Sequence, residues 1–234
     1  MQETGNNLRT TYKSIRLSTD GLSFFGASVR NIPFARPDLR FMRCMSYCLC
    51  DAWLQESAPE TIWIYSPDCQ LIPSGLFDDR QAGRLLRAQI PQASGAIRQE
   101  RLREGVSMVW CIPTLLDDFL SEQFPGATIS HPDIPLIRSL VDDTASQQCT
   151  GLYIHPQSST CTMAWANCGQ LIGYNRFATP TDDDLLYYVG AVLQNLKCPQ
   201  TDIHALLFEN DRCLEQLQQR IPQIQFQSLP PCAL

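Results

Sequence analysis

"SIRLSTDGLSFFGASV", residues 14–29, is the stretch from which the fold can be read. Ile15 and Leu17, then Leu22 and Phe24, alternate on either side of Asp20-Gly21. Alternation at period two is the pattern of a half-buried strand. Asp-Gly between two such runs predicts a tight hairpin, with positive φ at both central residues. A third strand is expected over "DLRFMR", 38–43. A helix is expected over "CMSYCLCDAWLQES", 44–57, where Met45, Leu49, Ala52 and Trp53 fall on one face. A short buried strand, "TIWIYSP", 61–67, ends this first series.

The same order returns later in the chain. "TGLYIHPQSSTCTMAWA", 150–166, reads as two strands around a turn at 156–160, and "GQLIGYNRF", 169–177, as a third. "TPTDDDLLYYVGAVLQNLK", 179–197, is a helix with Thr181 placed to cap it and Asp184 three residues on. Asp182, Asp183 and Asp184 sit where the helix dipole favours negative charge. "DIHALLFEN", 202–210, repeats the short strand, and a helix at 211–221 and the strand "QIQFQSL" close the series. Three meandering strands, a crossover helix and a further strand make a ribonuclease-H-like half, so an internal duplication is expected. Between the two series, helices are expected near 78–90, 114–124 and 134–143, with strands at 105–113 and 128–131. The whole is a layered α/β protein. Residues 1–145 form the first half with extra α/β elements, and residues 146–234 form the second.

Bulk composition narrows the functions. With 44% hydrophobic and 18% charged residues the chain is an ordinary globular one. A net charge of −6 disfavours nucleic acid as a partner. The one basic run, Arg98 to Arg103, reads as a solvated helix end. No apolar run is long enough to span a bilayer, and the polar N-terminus shows no signal core. A cytoplasmic location without membrane attachment is therefore expected. Eleven irregularly spaced cysteines are then expected to be reduced.

The motifs "IRLSTDGLSFF", "CQLIPSGLFDD", "ISHPDIPLIRSL" and "LIGYNRFATPTDDDLLYYV" together resemble an uncharacterised family of Bacteroidetes-type bacteria, a domain of unknown function. The resemblance runs in order along nearly the whole chain. It implies an actin-like ATPase fold, with two ribonuclease-H-like halves and mixed sheets around a cleft. It carries no established activity, so no catalytic residue is transferred.

Active members of that superfamily hold phosphate between two strand–turn–strand loops rich in Gly and Thr. Backbone N–H groups there take the phosphate oxygens. The cleft positions offered here are Ser18, Thr19, Asp20 and Gly21 in the first loop and His155, Gln157 and Ser158 in the second. The first has a single Gly in a short turn. The second has Pro156, which lacks an N–H, and no Asp or Gly. Both read as structural hairpins, so no cofactor and no catalytic residue are expected.

Cys44, Cys48 and Cys50 share one helix but form no zinc knuckle, and Asp182–Asp184 lack the pattern of a calcium loop, so no metal is expected. His131, His155 and His204 read as satisfied core or capping groups. The function expected is a non-catalytic protein-binding or assembly module whose partner is another protein or a second copy. The alternatives are an ATP-dependent kinase or ATPase with atypical phosphate loops, and a small-ligand sensor using the cleft between the halves.

Overall fold

The computed structural model describes residues 14–18, 21–26, 29–34, 40–50, 58–73, 75, 79–102, 105–157, 159–196, 203–208, 211–222 and 224–229. They fall into two compact units, each discontinuous in sequence. One spans Met1–Ser66 and Ile112–Ser130, the other Pro67–Cys111 and His131–Leu234. The sequence reading instead divides the chain at 145/146.

The first unit is built on five strands: β1 (Ser14–Leu17), β2 (Gly21–Phe25), β3 (Val29–Pro33), β4 (Thr61–Ile64) and β8 (Thr128–Ser130). Their order is β3-β2-β1-β4-β8. β1 and β3 each run antiparallel to β2, while β4 runs parallel to both β1 and β8. Alternate residues Ile15, Leu17, Leu22, Phe24, Ile62 and Ile64 are buried. Helices α1 (Arg40–Cys50) and α3 (Thr114–Gln123) supply buried Cys44, Cys48, Leu116 and Leu120.

The third strand is therefore not at 38–43. It precedes that stretch, and residues 40–43 open the helix. β3 is an exposed edge, with only Ile32 half-buried, so it lacks the alternation that marks a strand in sequence.

The second unit repeats the arrangement. Its strands are β9 (Thr150–Pro156), β10 (Thr160–Asn167), β11 (Gln170–Ala178), β12 (Ile203–Phe208) and β13 (Gln225–Leu229). The order β11-β10-β9-β12-β13 matches that of the first sheet, with the same pattern of antiparallel and parallel pairs. Leu152, Ile154, Cys161 and Met163 of the sheet pack on Leu185, Val189 and Leu193 of α5 (Asp182–Asn195) and Leu217 of α6 (Asp211–Arg220). Thr181 and Asp184 form the expected reciprocal cap on α5. Helix α4 (Asp133–Gln147) packs on β9, β10 and β11.

The second unit also holds a three-stranded sheet, β5 (Cys69–Pro73), β7 (Val106–Ile112) and β6 (Ala96–Arg101), in the order β5-β7-β6. Helix α2 (Ala82–Gln89) covers it through Ala82 and Leu86, against Ile72, Val109 and Cys111. Strands β5 and β6 are absent from the sequence reading. The basic run at 98–103 lies largely on β6 and is not a helix end. Glu100 there pairs with Arg138 of α4 at 3.0 Å, and Arg138 also donates to the Arg101 carbonyl at 2.7 Å.

Gly21 is needed for a reason other than turn conformation. It does not take positive φ, so Asp20-Gly21 is not the positive-φ pair expected. A Cβ at Gly21 would lie 2.6 Å from the carbonyl oxygen of Ile32, its diagonal neighbour on β3. Gly21→Ala is expected to destabilise the protein by roughly 1–3 kcal/mol through overpacking. Gly21→Asn, which tolerates positive φ, should fare no better. Thermal unfolding of the two variants checks this: rescue by Asn would show that conformation and not close approach selects glycine.

Candidate functional site

The two hairpins expected to stand at the phosphate positions are closed in the same way, each within its own unit. In the first, the Ser18 N–H donates to the Gly21 carbonyl at 2.9 Å and Leu17 pairs with Leu22. The Gly21 N–H donates to Ser18 Oγ at 3.1 Å. In the second, the Gln157 N–H donates to the Thr160 carbonyl at 2.7 Å and Pro156 pairs with Cys161. Only two residues separate the closing pair in each hairpin. Thr19, Asp20 and Ser158 lie outside the described residues. The N–H groups of Ser18, Gly21 and Gln157 are thus spent within the hairpins.

His155 stands at the end of β9 and is buried, but it takes part in a different constellation. Its Nδ1–H donates to Asp133 Oδ1 at 3.1 Å. Asp133 is wholly buried at the first turn of α4. Tyr174 of β11 donates its hydroxyl proton to Asp133 Oδ2 at 2.9 Å. Cys69 of β5 lies 3.3 Å from the Tyr174 oxygen, so its thiol donates in turn. His131 is also fully buried. Its Nδ1 accepts the Asp133 N–H at 3.2 Å, and its ring packs edge-on against Trp110. One carboxylate thereby joins α4, β9, β11 and β5.

Burial raises the pKa of Asp133, but the His131 ring and the hydrogen bonds from His155 and Tyr174 outweigh it, and the carboxyl sits below its ordinary value. A His131 ring that accepts the Asp133 N–H is neutral at Nδ1, so the two hydrogen bonds are the contributions this geometry supports. The Cys69 thiol is pushed up to about 12, first by desolvation and then by the Asp133 charge. Such a thiol is not a nucleophile at neutral pH. Cys44 is also held well above its ordinary value, chiefly by its hydrogen bond with Cys48 and then by burial. Among the described residues no group of three or more His, Cys, Asp or Glu is placed to hold a metal ion.

Cys69 and Tyr174 also line a groove of about 470 Å³. One wall is β5, through Cys69, Gln70, Leu71 and Pro73, and the other is β11, from Leu171 to Arg176. Among the described residues both strands are sheet edges, β5 pairing with β7 and β11 with β10. Gly173 leaves the space that the Trp165 ring occupies beside it, next to the bulge at Trp165/Ala166.

Residues 61–224 match the family described as "Protein of unknown function (DUF3822)". The chain belongs to this family. No curated protein matches the sequence. A solved structure from Bacteroides thetaiotaomicron, described as a protein with actin-like ATPase fold and unknown function, is similar at a TM-score of 0.78 and 22% identity, over 92% of this chain and 90% of that one. A chain of the PilM-PilN type IV pilus biogenesis complex is similar at a TM-score of 0.52 and 10% identity, over 95% and 89% of the two chains. The fold of this DUF3822 protein is therefore the actin-like ATPase fold, with two ribonuclease-H-like halves of mixed sheet.

Of the sequence candidates, Ser18 and Gly21 meet each other in the first unit, and Gln157 closes the second hairpin. His155 leaves that set to join Asp133. Asp133, Tyr174 and Cys69 escaped the sequence reading as site residues, although all three sit in the motifs that carry the family resemblance. The one usable signal was "HPD" just before a helix, which places an acidic side chain at a helix N-terminus.

Asp133→Ala takes away the carboxylate that Tyr174 and His155 donate to and is expected to cost roughly 1–3 kcal/mol. Because the folded-state pKa of Asp133 is lowered, its contribution is present above the unfolded value of 3.8 and is lost as pH falls through the lower folded value. Denaturant unfolding of wild type and Asp133→Asn at neutral pH and near pH 3 checks this. The gap between the two proteins should narrow at the acidic pH.

Proposed function

We propose that this DUF3822 protein is a protein-binding module that retains the actin-like architecture without using nucleotide. The observation that carries this reading is the closure of both hairpins. A phosphate cradle needs several outward backbone N–H groups along a loop. Here the Ser18 and Gln157 N–H groups bond across two-residue connections, and the Gly21 N–H bonds to Ser18 Oγ. The groove between two sheet edges gives such a module a place to hold another chain. The PilM-PilN complex, a fold neighbour, is itself an assembly of two proteins. Partner identity, a self-associating form and a cytoplasmic site of action all belong to this proposal.

A second reading, a small-ligand sensor, draws on the volume of the groove, about 470 Å³, which falls in the range of small-molecule sites.

Thermal unfolding with Mg-ATP, Mg-ADP and Mg-GTP tests the first reading. A nucleotide at a hundred times its Kd would add about 2.7 kcal/mol. For a chain of this size that raises the midpoint by roughly 5–11 °C. No rise is expected with any of the three. A rise of that size, removed by Asp20→Ala, would replace the binding module with the kinase or ATPase alternative.

A further inference from the structure

Two cysteines stand opposite each other at the end of the β9–β10 ladder. Thr150 pairs with Asn167, so the next two residues outward are Cys149 and Cys168. The Cys168 N–H donates to the Cys149 carbonyl at 2.9 Å. At the other end of the ladder the Gln157 N–H bonds to the Thr160 carbonyl, and bonded pairs recur at every second residue between. Cys149 and Cys168 therefore occupy a hydrogen-bonded position. The Cα atoms of such a pair lie about 5.5 Å apart, inside the range that a disulfide spans.

Both ends of this pair are held by Thr144 of α4. Its carbonyl accepts the Cys149 N–H at 3.2 Å, and its Oγ1 accepts the Gly169 N–H at 3.2 Å. A Cβ at Gly169 would lie 2.7 Å from the Ala145 Cβ, so the β10–β11 turn is pressed onto the helix. Cys168 and Gly169 both take positive φ, 46° and 82°. A two-residue hairpin turn of that form favours Asn, Asp or Gly at its first position. A cysteine there costs conformational energy, and an outlier of this kind points to a role for the side chain. Access sets the pair apart from other thiols. Cys44, Cys48, Cys161 and Cys213 are buried, whereas Cys168 is exposed and Cys149 half-buried. Burial and then the Cys168 charge hold the Cys149 thiol above its ordinary value.

We propose that Cys149 and Cys168 form a reversible disulfide by exchange with a low-molecular-weight disulfide of the glutathione type. The exposed Cys168 thiolate attacks one sulfur of that disulfide, and one small thiolate leaves. The Cys149 thiolate then attacks Cys168 Sγ, the Sγ–Sγ bond forms, and the second small thiolate leaves. The two protein thiols lose two electrons, the small disulfide is reduced to two thiols, and the two protein protons pass to the leaving thiolates. Capping Cys168 removes the charge that disfavours the Cys149 thiolate, so the first step promotes the second. Side chains of a hydrogen-bonded pair lie farther apart than those of a non-bonded one, so the bond is strained and easily reduced. The resting state is then the dithiol. The bond ties the start of β9 to the turn that leads into β11. The proposal is independent of the protein-binding reading.

The test uses the whole chain in glutathione buffers of graded oxidation under native conditions. Free thiols are trapped with an alkylating agent, and the peptides are mapped by mass spectrometry. In oxidising buffer a linked Cys149–Cys168 peptide should appear, with the loss of two hydrogens per chain, and it should vanish again in reducing buffer. Cys149→Ser should halt at a glutathione adduct on Cys168, the first intermediate. Cys168→Asn, the residue type this turn favours, should fold and leave Cys149 a free thiol. No linked peptide in fully oxidised glutathione, a link between other cysteines instead, or a link that survives fully reduced glutathione overturns the proposal.

Discussion

The carboxylate of Asp133 holds the second unit together at the point where its two sheets meet. Nothing in the local sequence forces β5, an edge of the small sheet, to lie against β11, an edge of the large one. Asp133 does so by accepting from Tyr174 on β11, whose oxygen accepts from Cys69 on β5, and from His155 at the end of β9. A buried charge is tolerated only when its lone pairs are occupied, and here both carboxylate oxygens are. The position of Asp133 in the first turn of α4 adds the favourable end of the helix dipole, and His131 accepts its backbone N–H. One side chain thereby sets the helix start, the strand end and the spacing of the groove walls.

The hairpins bear on function through their length. A two-residue connection lets its flanking residues bond across the turn and leaves the chain on its way into the next strand. Lengthening it by a few residues with small side chains would free N–H groups for an anion. The chain keeps the short form in both units, Ser18 to Gly21 and Gln157 to Thr160. In the first, β3 presses so closely that the Ile32 carbonyl leaves no room for a side chain at residue 21. The close approach at residue 21 is also what seats β2 against β3.

Much of the fold could be read before the structure, and the exceptions have physical causes. The second series was legible because β9 and β10 are largely buried and rich in apolar residues and its helix carries a capping box, so composition and punctuation agree. β3 was missed because it is exposed almost throughout. "DLRFMR" read as a strand because Leu39 and Phe41 alternate, yet Phe41, Cys44, Met45 and Cys48 already carry the helical spacing of the next segment. β5 escaped because "CQLIP" is short and ends in Pro, and β6 because "AIRQER" is largely polar. The candidate site was hardly legible at all. His155 and Asp133 are 22 residues apart, Tyr174 and Asp133 41, and Cys69 and Tyr174 105. Spacings of that kind carry no periodic signal, and partners meet only once the sheets are built.

An exposed sheet edge invites unwanted pairing, and proteins blunt such edges with prolines, bulges and side chains that occupy the outward groups. Both walls of the groove show these devices. Pro73 ends the open phase of β5, Asn175 takes the Arg176 N–H on β11, and a bulge bends the β10–β11 ladder at Trp165/Ala166. Between those stops, Cys69 and Leu71 turn their main-chain groups away from β7, and the Cys69 thiol meets Tyr174 of β11. The contact that joins the two edges thus belongs with the devices that keep them from indiscriminate pairing.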